Sequence, residues 1–465
     1  MKSPIAFIIL AIVAVLAVAS SLSPHTAAVG DPASPGNVAW MLAATAMVLF
    51  MTPGLSFFYG GMVRKKNVIS TMLQSFIAMG VISILWIVVG FSIAFGDSVG
   101  GIFGNPLTFL MFKNVGAATH PAIGSTIPLV LFAFFQLKFA IITPALFTGS
   151  FAERVRFSSY IVFMILFSLF IYAPLAHMTW HPDGLLMKAG VLDFAGGTVV
   201  HMSAGIAALV GAMVLGPRRS HSNKEEHVPA NIPFVILGTG MLWFGWFGFN
   251  AGSALAADGV ASMAFATTNT ASASAALSWI FFDMLRGHKP SALGACIGAV
   301  VGLVAITPAA GFVSVGAAVM IGFIAAVSSN LAVHFKTRTN VDDTLDVFPC
   351  HGIGGMVGMV ATAIFATDGG LITGETHLFL VHMLALVGVS IFVFVGSWIL
   401  YKVTDKIIPL RVTPDQEEEG LDVSQHNESI WEAVQEALAN RSGSERIIPA
   451  SGGSAAESTF AEPTK

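Results

Sequence analysis

The sequence predicts an all-α polytopic membrane protein: eleven transmembrane helices with an inverted five-helix repeat plus one extra helix, behind a cleaved signal peptide. Three observations predict it. Hydrophobic residues make up 55% of the chain and charged residues 10%, against about 25% charged in soluble domains, too few to cover a chain of 465 residues in water. Apolar segments recur at intervals of roughly 25 to 40 residues, each near the roughly 20 residues that cross a bilayer as a helix. No segment alternates with period two, which removes a membrane β-barrel. Phe outnumbers Tyr 37 to 4, so most aromatic surface needs no polar partner. The 47 glycines suit helices packed at close range. Cys296 and Cys350 both lie in apolar runs, which excludes a disulfide framework. The net charge of −4 is concentrated in the tail and identifies no partner.

Taken in order, residues 1–19 read as a signal peptide. Lys2 precedes an apolar run from Ile5 to Ala19, and Ala17-Val18-Ala19 offers a small-x-small cleavage site. An uncleaved first helix is the alternative; either way the chain after Gly36 starts outside. The membrane domain is expected over 37–403, with spans at 38–62, 67–95, 122–150, 156–178, 195–216, 231–252, 259–285, 290–307, 312–335, 347–366 and 376–403. Loops after odd spans carry Arg64, Lys65, Lys66, Arg154, Arg156, Arg218, Arg219, Lys224, Arg286, Lys289, Lys336 and Arg338; loops after even spans carry only Lys113 and Lys188. The positive-inside rule puts the odd loops and the carboxyl tail in the cytoplasm and the amino end outside. The tail, 404–465, holds Glu417-Glu418-Glu419, a helical candidate from Ser429 to Ala439, and a Ser/Gly/Ala-rich end expected to be disordered.

An internal echo joins two spans. Leu192-Asp193-Phe194 opens the fifth, with His201 inside it; Leu345-Asp346-Val347 opens the tenth, with His351 inside it. Five is an odd offset, so the halves run in opposite directions, as in inverted-repeat transporters with the path between halves.

Several residues are candidates for chemistry. His201 and His351 sit at membrane depth among glycines, and a paired imidazole can donate at one nitrogen and accept at the other. Phe135 and Phe139 are four apart. Trp243, Trp246, Phe249 and Ser253 step by three, three and four along the sixth span. Trp180 and Ser253 fall at outer ends, where a ring face and a hydroxyl suit a small cation; interfacial Trp also serves as an anchor. Asp193 and Asp346 read foremost as helix caps. Lys138 lies between Phe135 and Phe139 and is expected to point away from any cation path. There is no phosphate-binding loop for an ATP-driven pump and no His-Glu-x-x-His; His177 and His181 lack an evident third metal ligand.

These stretches resemble the Amt branch of the ammonium transporter/Rh family. The matching residues include Pro53-Gly54-Leu55-Ser56-Phe57-Phe58-Tyr59-Gly60-Gly61, Ala152-Glu153-Arg154, Asp193-Phe194-Ala195-Gly196-Gly197 running to His201, Gly245-Trp246-Phe247-Gly248-Phe249-Asn250-Ala251-Gly252-Ser253, and Asp346-Val347-Phe348 with His351-Gly352. The resemblance runs from about 40 to 430. It implies a transporter, not an enzyme, in a bacterial inner membrane: a homotrimer conducting ammonium or ammonia for nitrogen uptake through each subunit. It implies a recruitment site of Trp180, Ser253 and Phe135, a gate of Phe139 and Phe249, and a pore-lining pair of His201 and His351. Asp193 and Trp246 would support these. A PII-type regulator at the cytoplasmic face and membrane lipid are the implied partners, with no cofactor, metal or nucleic acid. Trp180 and Ser253 favour the Amt over the Rh branch. Lys138 and Asn427 depart from the pattern, the latter standing where the family usually has Gly. A sensor, a Rh-like gas channel and an intramembrane enzyme using the histidine pair are the competing readings.

Overall fold

The computed structural model describes residues 33–430, with a few helical positions between 11 and 19 before them. The expected signal cleavage and the distal tail, including most of the Ser429–Ala439 candidate, lie outside the described residues. Met1–Asn427 forms one unit; Glu428–Lys465 forms a second, of which only 428–430 are described.

The first unit is a multi-pass helical bundle. Its long helices are α1 (Pro35–Met62), α2 (Val68–Leu85, continued by a π-turn Trp86–Gly90 into Phe91–Phe95), α3 (Leu129–Leu146, ending in a 3₁₀ turn Phe147–Phe151) and α4 (Phe157–Phe167, a π-turn Ser168–Tyr172, then Ala173–Trp180). Next come α5 (a π-segment Gly197–Met202, then Ser203–Leu215), α6 (Ile232–Ala251), α7 (Gly259–Leu285) and α8 (Ala292–Ile306). Last are α9 (Val315–Lys336), α10 (a π-segment Phe348–Ile353, then Gly354–Phe365) and α11 (His377–Ile407). Among the described residues, nine helices are long and apolar enough to cross a membrane. The expected seventh and eighth spans are the helices α7 and α8. α8 has 15 residues; α7 has 27, and its Thr267-Thr268-Asn269-Thr270 stretch lowers its hydropathy.

Two boundaries differ most from expectation. The third span starts at Leu129, because Gly124–Pro128 is a strand paired with Thr119–His120; Pro128 disfavours helix at the residue before it. α11 runs to Ile407, past the expected end at 403.

The repeat is present, in a corrected register. Asp193 accepts the amides of Gly196 (2.8 Å), Gly197 (2.6 Å) and Thr198 (2.8 Å), closing the start of α5. At α10 this role falls to Asp343, which accepts Val347 N (3.1 Å) and Phe348 N (2.8 Å). Asp346, the expected counterpart, instead sits at φ 57° and pairs with Lys336. Asp193 to His201 and Asp343 to His351 are both eight residues, so the halves are offset by 150. Close contacts obey that offset. A Cβ on Gly205 would lie 2.1 Å from Gly352 N, and one on Gly355 would lie 3.1 Å from Met202 N. Adding 150 to 202 and 205 gives 352 and 355, so each contact is the other's image. α1 and α6, the first helices of the two halves, also pack closely: a Cβ on Gly238 would lie 2.4 Å from Phe58 N.

The loops rich in Arg and Lys gather at one end of the bundle. There Asp342 receives Arg218 through Nε (2.8 Å), Nη2 (2.9 Å) and the backbone amide (2.8 Å), and Arg218 also pairs with Glu153 at 2.8 Å. Burial alone would raise the Asp342 carboxyl, but the Arg218 bonds and the Arg154 charge hold it well below the usual carboxylate range. Two short helices, α12 (Pro414–Glu419) and α13 (Leu421–His426), latch onto the same loops. Leu421 N donates to Asn67 (2.8 Å), Ser70 N to Asp422 (2.8 Å) and Arg219 N to Glu417 (2.7 Å). Asn427 ends α13 at φ 55°, a left-handed position that Asn and Gly share. That explains how it can replace Gly without losing the turn.

Candidate functional site

At the end opposite the basic loops, Trp180, Ser253 and Phe139 line one vestibule. α4 stops at Trp180, and its indole N–H donates to the Asp193 carbonyl at 2.9 Å. The ring lies against Gly196, whose φ of 118° glycine adopts readily and where a Cβ would also meet Val200 at 2.7 Å. Ser253 sits in a 3₁₀ turn after α6; its hydroxyl donates to Phe249 O at 2.8 Å, which leaves its lone pairs for a cation. Phe135 is fully buried, its ring 5.0 Å from that of Phe139. It backs the vestibule wall and is not part of it. Gln136, which sequence reasoning missed, lines the vestibule with a buried Oε1 that has no hydrogen-bond partner among the described residues. Its signal was a single carboxamide in the apolar run of α3.

Below the vestibule, Phe139 and Phe249 stack with centroids 4.1 Å apart and planes 29° from parallel. Phe249 lines a narrow apolar cavity with Leu55, Ile142, Trp246, His201 and His351. The cavity has room for about one water-sized molecule. The two histidines meet Nδ1 to Nδ1 at 3.3 Å, and His201 Nε2 has no hydrogen-bond partner among the described residues. If one Nδ1 donates to the other, the neutral pair leaves one bare Nε2 and one Nε2–H. It therefore offers one acceptor and one donor. Trp246 stacks on His201 at 5.4 Å and donates to Thr307 Oγ1 at 2.9 Å, which fixes the imidazole plane. Trp243, expected on the same stripe, is only half-buried and lines neither space; Leu242 takes its place in the cavity wall.

Asp193 is both cap and support. Its carboxylate holds the α5 amides and the Thr198 hydroxyl, while its carbonyl holds Trp180. His177 and His181 stack at 4.4 Å, with His177 bonded to Ala94 O and Ser98 Oγ. Cys296 and Cys350 are free and buried. Lys138 lines neither vestibule nor cavity; its ammonium lies 5.4 Å from the ring centre of Phe134. Lys138→Met is therefore expected to keep methylammonium uptake within about twofold, the range of substitutions remote from a site. Loss of uptake with the chain still folded would put Lys138 in the path.

The sequence pattern of the Ammonium Transporter Family matches residues 39–430. The chain belongs to the ammonium transporter family. A putative ammonium transporter of Methanothermobacter thermautotrophicus is 44% identical over 404 residues, covering 85% of this chain and 98% of the relative. The ammonium transporter of Aquifex aeolicus is 44% identical over 403 residues, covering 85% and 93%. Among solved structures, Mep2 of Saccharomyces cerevisiae matches with TM-score 0.78 at 35% identity, covering 83% of this chain and 89% of that one. A structure titled a sensor Amt protein matches with TM-score 0.78 at 31% identity, covering 84% and 98%.

Proposed function

We propose that this ammonium transporter family member recruits ammonium in the vestibule, where the ion gives up its proton to solvent water, and passes ammonia through the histidine-lined cavity. One observation carries the reading: Phe139 lines the vestibule and Phe249 the cavity, and the two rings stack between them. Trp180 and Ser253 replace part of the water shell of a cation by ring-face attraction and one hydrogen bond, each contact worth about 0.5–2 kcal/mol; Phe135 acts from behind Phe139. An unpaired charge in the apolar cavity costs far more than that. Deprotonation removes the cost for ammonium. Potassium has no proton to lose and is excluded. His201 and His351 then exchange hydrogen bonds with ammonia.

Orientation follows from the basic loops, which put the vestibule outside and the latched tail in the cytoplasm of a bacterial cell. There a PII-type regulator would meet α12, α13 and the loops they hold. A homotrimer would cover the open groove between α7 and α9, where the Asn269 and Ser278 side chains make no hydrogen bond among the described residues and lipid offers none; Thr270 and Ser274 bond to Ala266 O and Val319 O within the chain. The membrane domain at 37–403 follows cleavage of residues 1–19.

Labelled methylammonium uptake by cells expressing the chain, competed by excess ammonium, tests transport; binding without uptake would favour a sensor. Trp180→Leu tests recruitment. With the ring face gone, half-saturation should rise about threefold to tenfold, the equivalent of about 1 kcal/mol, with maximal flux kept. An unchanged half-saturation would remove Trp180 from the site.

A further inference from the structure

α11 stands outside the repeat, yet one of its side chains reaches the vestibule's support. His382 is fully buried. Its Nδ1 lies 2.9 Å from the carbonyl of Met359 on α10, and its Nε2 lies 3.0 Å from the amide of Leu192. A carbonyl only accepts and an amide N–H only donates. The two contacts together therefore specify the neutral tautomer with hydrogen on Nδ1 and a bare Nε2.

Leu192 immediately precedes Asp193, whose carbonyl seats the Trp180 indole and whose carboxylate gathers three α5 amides. Phe194, on the other side, donates its amide to Pro308 O at 3.1 Å. The turn that carries Asp193 is thus tied on one flank to the end of α8 and on the other to α11. We infer that His382 is a positioning residue for cation capture: through Leu192 it fixes the turn that sets Trp180 over the vestibule. The inference rests on Trp180 being the recruiting ring. The bond that matters is the one to Leu192, because the Met359 bond only orients the imidazole.

Asn and Gln separate the two bonds. In His382→Asn the amide stands near the Nδ1 position and reaches Met359 alone. In His382→Gln the carboxamide extends to the Nε2 position and can accept from Leu192. The full chain, reconstituted in liposomes, is assayed for methylammonium half-saturation and maximal flux, with Trp180→Leu alongside. Hydrogen exchange of the segment around Leu192 is followed on the same preparations. His382→Asn is expected to raise half-saturation about fivefold, the scale of one lost buried hydrogen bond, with maximal flux kept and faster exchange around Leu192. His382→Gln should restore both. Equal behaviour of Asn and Gln, whether both wild-type or both impaired, overturns the inference. If Trp180→Leu alone leaves half-saturation unchanged, it is the recruitment reading that fails, and the exchange difference between Asn and Gln still reports on the Leu192 tie.

Discussion

His201→Ala and His351→Ala are each expected to abolish selective ammonium conduction while the chain still folds. Either change deletes one half of a buried pair and leaves the partner's Nδ1 facing an apolar cavity, at a cost of about 1–3 kcal/mol for an unsatisfied buried group. It also removes either the acceptor or the donor that ammonia would meet below the gate. A barrier raised by about 1.4 kcal/mol slows passage tenfold, so a fall of at least about that size is expected. The space vacated by an imidazole lies next to a cavity already large enough for about one water. Water entering there would lower the penalty on a bare ion, so discrimination against potassium should fall together with ammonia flux. Liposome flux with ammonium and potassium gradients measures both. Wild-type selectivity in either variant would remove the pair from the mechanism.

Much of this site was legible because its signals are one-dimensional. The four-residue step from Phe135 to Phe139 and the four-residue step from Phe249 to Ser253 report helix faces directly, and hydropathy reports the spans. The echo of His201 in His351 was legible too, but its register was not. Matching Leu192-Asp193 to Leu345-Asp346 aligned two residues and misplaced the cap by three. Counting eight residues back from each histidine finds Asp193 and Asp343, which is a spacing argument the sequence did contain. Other contributions have no local signature. His382 matters because α11 happens to pass the Leu192 amide, 190 residues away in the chain. Gln136 shows in the sequence as a carboxamide in the apolar run of α3, but nothing local says that it faces the vestibule beside Phe132 and Phe139. Phe135 lies on the same helical face as Phe139 yet is covered, because a helix face says nothing of what packs on it. α7 falls short in hydropathy because its hydroxyls bond within the bundle, Thr267 to Ala310 O at 2.8 Å and Ser272 to Ala299 O at 3.1 Å.

Gly205→Ala tests the crossing on which the histidine pair depends. A Cβ at this position would lie 2.1 Å from Gly352 N, 2.4 Å from its Cα and 2.9 Å from the His351 carbonyl carbon. All three neighbours are backbone, so no side chain can swing aside. α5 and α10 must separate by at least about 1.3 Å to bring the 2.1 Å approach to ordinary contact distance, and the 3.3 Å contact between His201 and His351 would then leave hydrogen-bonding range. Overpacking of this kind costs about 1–3 kcal/mol or more. The variant is expected to lose both thermal stability in detergent and selective transport. Gly355→Ala, whose added carbon would meet neighbours at 2.9–3.2 Å, should fall between. Gly240→Ala on α6, with nothing within 4 Å, should keep transport and gain slightly in stability from helix propensity. The order Gly205, Gly355, Gly240 therefore follows backbone clearance and not glycine content. Wild-type melting and flux in Gly205→Ala would mean that the two half-helices do not cross this closely, and the geometry of the histidine pair would fall with that result.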